Sequence, residues 1–328
     1  MKPTEFDPNA KSSHEGIFGL PFGEQEAELI LLPVPWEPST SYGGGTARGP
    51  SLILHASHQV DLFDLDFGKA YEAGIHMRPI PKDLLALSDE LKKEGSPVDR
   101  VNEASDLMTN WVRQQSAQIR AKGKIPAVVG GDHSTPLGLI RTLAEELKGD
   151  LGILHIDAHA DLRNAYEGYR QSHASIMYNV LQLPVPPQKL VQVGIRDFCE
   201  EEFLLIQKEK TRVRTYFDGE LKQRQYQGDT WLELVREIIS HLPQNVYVSF
   251  DIDGLDPALC PNTGTPVPGG LQFTEAMILI REIVKTKRRI VGFDLNEVSD
   301  GGSNNEWNGN VGARVLYKLC GWTLVSQR

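Results

Sequence analysis

The chain has 328 residues, of which 40% are hydrophobic and 24% charged, with a formal net charge of −10. This is the composition of an ordinary globular protein with ample material for a core and no sign of a long disordered tract. The acidic balance argues against nucleic acid or an anionic membrane surface as the main partner and suits a cationic substrate.

Residues 1 to about 27 are polar and carry Pro, Gly and Ser, so they read as an N-terminal arm. They hold no apolar run of signal-peptide length, and nowhere does the chain approach the roughly 18 apolar residues of a membrane span, so a cytoplasmic protein is expected. Short apolar runs predict strands over 27–33, 125–131, 151–157, 189–195, 246–253 and 288–295. They are apolar on both faces, the mark of a parallel sheet covered by helices. Helical spacing predicts helices over 102–122, 135–148, 173–183, 229–242, 273–287 and 310–321. Segment 68–100 is the least regular and reads as surface helix and loop, and KTKRR (285–289) as a solvated helix end. Strand and helix alternate without a Pro/Ser-rich linker or internal repeat. A single doubly wound three-layer α/β domain over 1–328 is therefore expected.

In such a sheet ligands sit beyond the carboxyl ends of the strands. Three of the predicted strands run there into acids and histidines: Gly130-Gly131-Asp132-His133-Ser134, Asp157-Ala158-His159-Ala160-Asp161 and Asp251-Ile252-Asp253-Gly254. Residues two apart on an extended chain share a face, so Asp157, His159 and Asp161 project together, as do Asp251 and Asp253. Carboxylates forced together take up protons unless a cation lies between them. Four acids with His133 and His159 are too many ligands for one tetrahedral zinc, and no thiolate is among them. Two oxygen-rich sites fit, with Mn²⁺ the first choice and Ni²⁺, Co²⁺ or Fe²⁺ chemically possible. Two such ions about 3.5–4 Å apart can activate water, which points to hydrolysis. An isolated DxD more often caps a loop. His155, inside the apolar run GILHI, reads as a satisfied core histidine. Cys199, Cys260 and Cys320 are widely spaced and odd in number, and read as reduced thiols. The glycines at 43–45 lack the GK[ST] of a phosphate loop.

GGDHS, DAHAD and SFDIDGLDPA, in this order and spacing, resemble the arginase, agmatinase and formiminoglutamase family of ureohydrolases. The resemblance runs from PVPWEPSTSYGGGTARGP (33–50) through VGIRD and CPNTGTPVPGG to FDLNEV. It implies a three-layer α/β/α fold on a mostly parallel eight-stranded sheet. It also implies one metal held by His133, Asp157, Asp161 and Asp251, and a second by His159, Asp157, Asp251 and Asp253. His173 matches the family's proton-shuttling histidine at the cleft mouth, and Glu297 the acid that pairs with the substrate guanidinium through two parallel hydrogen bonds. Homo-oligomers, trimers or hexamers, are usual in the family.

The segment after FDLNEV departs from the family pattern: SDGGSNNEWNGNVGARVLYKL brings Trp307 towards the substrate side, either as an aromatic wall for a small cation or as a packing residue. Arginases carry, two places after the position of Asp197, an acid that holds the α-amino group of arginine; Cys199 stands there. The twelve-residue step from Asp161 to His173 follows agmatinases. The resemblance thus points first to agmatine, cut to putrescine and urea in polyamine synthesis. Guanidinobutyrate, guanidinopropionate, free guanidine, arginine and formiminoglutamate are alternatives. A single-zinc deacetylase or a non-catalytic protein of the same fold would need fewer ligands than are present here.

Overall fold

The computed structural model describes residues 6–10, 15–93, 96–302 and 306–328. Strands β1 (Leu29–Val34), β2 (Ile75–Met77), β3 (Ile125–Gly130), β4 (Gly152–Ile156), β5 (Lys189–Ile195), β6 (Val213–Phe217), β7 (Asn245–Asp251) and β8 (Arg289–Asn296) form one sheet in the order β2-β1-β3-β8-β7-β4-β5-β6. Every pairing is parallel. The helices between them are α1 (Gly49–Ser57), α2 (Lys82–Leu91), α3 (Val98–Ala121), α4 (Leu137–Glu146), α5 (Ile176–Leu181), α6 (Glu200–Lys208), α7 (Asp218–Tyr226), α8 (Trp231–Ser240), α9 (Phe273–Lys285) and α10 (Trp307–Val325).

The strands are apolar on both faces because both faces are covered. Leu154, Val191, Val248 and Phe293 pack in one cluster with residues of α1, α8, α9 and α10, while Ile153, Leu190 and Tyr247 pack in another with residues of α3, α4 and α5. The six strands expected from apolar runs are all present, and two more were illegible. β2 is three residues long, inside the segment read as surface helix and loop. β6, VRTYF, is an edge strand with an exposed Arg214, so it lacks a continuous apolar run. The N-terminal arm is not wholly peripheral: Ile17, Phe18 and Leu20 are buried in the core, and Phe18 N donates to Ser57 Oγ at 2.9 Å. Among the described residues no helix is long and apolar enough to cross a membrane.

The carboxyl ends of β1, β3 and β8 meet around the Gly-Gly pair. Gly131 N donates to Val34 O at 2.8 Å, Asp132 N to Trp36 O at 2.7 Å, and Glu297 N to Gly131 O at 2.8 Å. A Cβ on Gly131 would run into the Trp36 backbone, its carbonyl oxygen first. Overpacking of this kind costs about 1–3 kcal/mol. Gly131→Ala is therefore expected to lower the unfolding free energy obtained from urea titration by that amount, with a lower midpoint, and an unchanged midpoint would show that the two loops part freely.

Candidate metal centre

β3, β8, β7 and β4 lie side by side, and their carboxyl ends deliver the acids and histidines to one place. His133 follows β3, Asp251 ends β7, and Asp157, His159 and Asp161 follow β4. Extended geometry persists past the end of β4, where His159 still pairs with Asp197 in parallel. This is why the odd-numbered residues of DAHAD share a face. The last of them, Asp161, turns out of the strand with φ at +53°.

The six predicted ligands are brought together as two overlapping groups. His133 Nδ1 lies 3.0 Å from Asp157 Oδ2, 3.2 Å from Asp161 Oδ2 and 3.2 Å from Asp251 Oδ2. His159 Nδ1 lies 3.4 Å from Asp157 Oδ1 and 3.2 Å from Asp253 Oδ2. Asp157 thus turns one oxygen to each group. Five of the six are buried, and His159 is partly open to solvent.

Such crowding has electrostatic consequences. Burial, with Asp253 and Asp157 beside it, pushes Asp251 well above the usual carboxylate range. Burial and then Asp157 push Asp161 up to about 6. Burial opposes ionisation of Asp157 too, but the imidazoles of His155, His133 and His159 outweigh it and hold that carboxyl well below its usual value. Burial disfavours a charged His133, yet the surrounding carboxylates of Asp157, Asp161, Asp251 and Asp294 raise it well above the ordinary histidine value. Left alone, the centre retains protons on groups whose lone pairs converge. Two divalent cations can replace those protons, and the donor set, carboxylate oxygens with one imidazole per group, fits hard-to-borderline ions. His155 lies behind the first group, its Nε2 2.9 Å from Asp157 Oδ2. It is also the satisfied core histidine expected, bonded on both ring nitrogens.

Glu297 follows β8 with a left-handed φ of +65° and is 2% exposed. A non-glycine residue rarely adopts this backbone, and such strain gathers at functional sites. Its Oε1 accepts from His133 N at 2.9 Å, while Oε2 has no hydrogen-bond partner among the described residues. Gly264 lies against that oxygen, and a Cβ there would come within 2.6 Å of it. Burial, then the neighbouring Asp132 and Asp253, push Glu297 well above its usual value. The site is short of a cation here as well.

Over the exposed side of the cluster opens a cleft of about 320 Å³ lined by His159, Asp161, His173, Ser41, Tyr42, Arg163, Tyr166, Asp197 and Thr265, among others. Ser172 caps the 3-10 turn His173–Ser175, accepting from Ala174 N at 3.2 Å. His173 is buried, 3.4 Å through Nε2 from Ser41 Oγ, and burial followed by His159 and His133 lowers it to about 4. Trp307 heads α10, about half exposed, and is not among the residues lining the cleft; the rings there are Tyr42 and Tyr166. Of the preceding segment, residues 303–305 lie outside the described ones.

Sequence reasoning missed what holds the loop over the cleft. Buried Glu37 accepts through Oε2 from Thr46 N at 2.7 Å and Thr46 Oγ1 at 3.0 Å, and its Oε1 meets Lys92 Nζ at 3.0 Å. Ser88 Oγ of α2 accepts from Glu37 N at 2.9 Å. Segment 37–46, which carries Ser41 and Tyr42, is clamped to α2 in this way. Only a glutamate next to an invisible partner some fifty residues on would have announced it.

The sequence profile of the arginase family matches residues 27–321. An N(1)-aminopropylagmatine ureohydrolase from Thermus thermophilus is 35% identical over 293 residues, 86% of this chain and 88% of the relative. A proclavaminate amidinohydrolase from Streptomyces clavuligerus is 32% identical over 296 residues, 89% of this chain and 88% of the relative. Among solved structures, an agmatine ureohydrolase from Thermoplasma volcanium matches with a TM-score of 0.75 at 26% identity, covering 95% of this chain and 94% of the other. Because the match runs nearly end to end through the segments that build the two-part His/Asp cluster, the chain belongs to the arginase family of ureohydrolases, hydrolases of linear amidines with a binuclear metal site.

Proposed function

We propose that the chain cleaves a guanidino compound with a cationic tail and no α-amino-acid head, agmatine first, giving putrescine and urea, with two Mn²⁺ ions at the His/Asp cluster. The observation that carries this is the unpartnered, buried Oε2 of Glu297 beside six converging metal donors. His133, Asp157, Asp161 and Asp251 would hold one ion and His159, Asp157, Asp251 and Asp253 the other. When bound, the ions supply a water made nucleophilic at neutral pH and offset negative charge developing on the substrate.

The chain's own groups do the rest. Glu297 would take the planar guanidinium through charge-assisted hydrogen bonds, which fix the direction in which its carbon faces the cluster. His173, neutral near pH 7 by its lowered value, would accept a proton given up at the cluster and pass it to the departing amine. Asp197, 68% exposed at the cleft and 3.9 Å from His159 Nε2, offers a counter-charge for an ammonium tail. Arg163 is engaged elsewhere, over the Tyr166 ring at 4.7 Å and 3.7 Å from Glu202. The names of the relatives favour a longer tail as a second reading, aminopropylagmatine, since one acts on that compound.

Asp157→Asn or Asp251→Asn should leave fewer than two ions per chain in elemental analysis and lower activity by orders of magnitude, because each removes charge shared by both positions. Two ions at full occupancy in either variant would sink the bridging roles. His173→Asn should keep its metal and lose about 10²–10⁴-fold in kcat; a wild-type kcat with urea still formed would remove the shuttle.

Substrate choice follows from charge. With Cys199 at the position where arginases, by the resemblance, carry the acid for the α-ammonium, an arginine head group is left to Asp197, and its carboxylate would lie beside that like charge, a repulsion the tail of agmatine avoids. Arginine should therefore have a kcat/KM well below that of agmatine. Asp197→Asn, which removes an exposed charge, should reduce kcat/KM for agmatine by only about two- to fivefold. Arginine turned over as well as or better than every other guanidine, in a urea-release assay, would refute this specificity.

A further inference from the structure

One register below the metal centre lies a polar row for which the chemistry above has no use. Thr215, Gln192, His155, Ser249 and Asp294, on β6, β5, β4, β7 and β8, are successive cross-strand partners. Register partners point to the same face of the sheet. Two residues earlier on that face the partners are apolar: Val213, Leu190, Ile153 and Tyr247. Two residues later it carries Asp157 and Asp251. Gln192, His155, Ser249 and Asp294 are all 0% exposed. A buried polar row persists only where its members are bonded to one another.

Donor and acceptor chemistry fixes the direction of these bonds. Thr215 Oγ1 donates to Gln192 Oε1 at 2.8 Å. The Gln192 amide nitrogen faces Ala160 O, which can only accept, at 2.7 Å, and His155 Nδ1 at 3.0 Å. His155 Nδ1 is thus an acceptor, the ring hydrogen sits on Nε2, and Nε2 donates to Asp157 Oδ2 at 2.9 Å. On the other side Ser249 Oγ donates to Asp294 Oδ1 at 3.1 Å and takes the hydrogen of His133 Nε2 at 2.9 Å. That leaves the lone pair of His133 Nδ1 for a cation. Asn296, itself held by Thr135, donates to Asp294 and closes this arm.

Both arms end on the same metal position. Asp157 Oδ2, which His155 holds, is the oxygen beside His133 Nδ1, whereas Asp157 Oδ1 turns to His159. The second position is propped by backbone instead: His159 N donates to Asp157 Oδ1 at 2.6 Å and Ala158 N to Asp253 Oδ1 at 3.1 Å. We propose that the transverse row is a positioning device for one of the two ions, the one bounded by His133, Asp157 Oδ2, Asp161 and Asp251, with His155 and Ser249 as its positioning residues. This rests on the binuclear reading of the site and is independent of which guanidine is cleaved.

The test is calorimetric titration of metal-free protein with Mn²⁺, paired with Mn²⁺ electron paramagnetic resonance, on wild type, His155→Leu, His155→Gln and Gln192→Leu. In His155→Leu the affinity for one ion should fall by about 10–100-fold, the usual effect of losing an outer-shell partner. The other ion should bind as before, and the exchange-coupled signal should give way to that of an isolated ion. His155→Gln, whose amide N–H reaches the same carboxylate oxygen, should restore most of the lost affinity. Gln192→Leu should weaken the same ion without touching Asp157. The proposal is overturned by wild-type affinities in His155→Leu, or by equal weakening of both ions, which general loosening would produce. If His155→Leu does not fold, Gln192→Leu decides: selective loss supports the row, and wild-type affinities overturn it. Fewer than two ions in the wild type would overturn the binuclear reading and the proposal with it.

Discussion

Gathering negative charge out of water is the constraint on which this molecule depends. Asp157, Asp161, Asp251, Asp253 and Glu297 lie together, each no more than 4% exposed. Isolated carboxylates in such a place are costly by several kcal/mol each. Neighbouring imidazoles compensate part of that charge, and the raised values of Asp251, Asp161 and Glu297 show that the compensation is incomplete. The deficit is the functional property. It creates affinity for divalent cations at the cluster, and it leaves the buried Oε2 of Glu297 without a partner, the place where the function proposed above puts the substrate's cation.

Holding such an arrangement falls to the sheet. Parallel strands covered on both faces are stiff, and their carboxyl ends converge on a crevice outside the core. Each ligand sits at or just beyond a strand end, so its position is inherited from backbone pairing several residues below. Where the strand geometry runs out, the chain accepts strain: Asp161 and Glu297 both have positive φ. The surrounding hydrogen bonds, such as Glu297 N to Gly131 O, keep them there.

The cleft side is assembled differently, from loops whose order comes from side chains. Glu37 ties Thr46, Lys92 and Ser88 together, and the loop so fixed carries Ser41 to His173. Sheet-built ligands and loop-built walls are a division that lets one hydrolytic centre serve tails of different length and charge, since loops can change without moving the strand ends.

The sequence by itself determined the central strands and the identities of the candidate ligands. Both are local: a strand buried on two faces must be a continuous apolar run, and a period of two puts Asp157, His159 and Asp161, or Asp251 and Asp253, on one face wherever the strand lies. It did not reveal β2 or β6, because one is three residues long and the other, at an edge, alternates with polar residues. Nor did it reveal that Ser249 stands beside His155 and Asp294 beside Ser249, or that Lys92 reaches Glu37. Those neighbours are set by strand order and register. Strand order here runs β3-β8-β7-β4, and no pattern within a single segment specifies which other segment will lie next to it. The chemistry of each residue is written locally, whereas its partners, its burial and hence its charge state are decided by the tertiary fold.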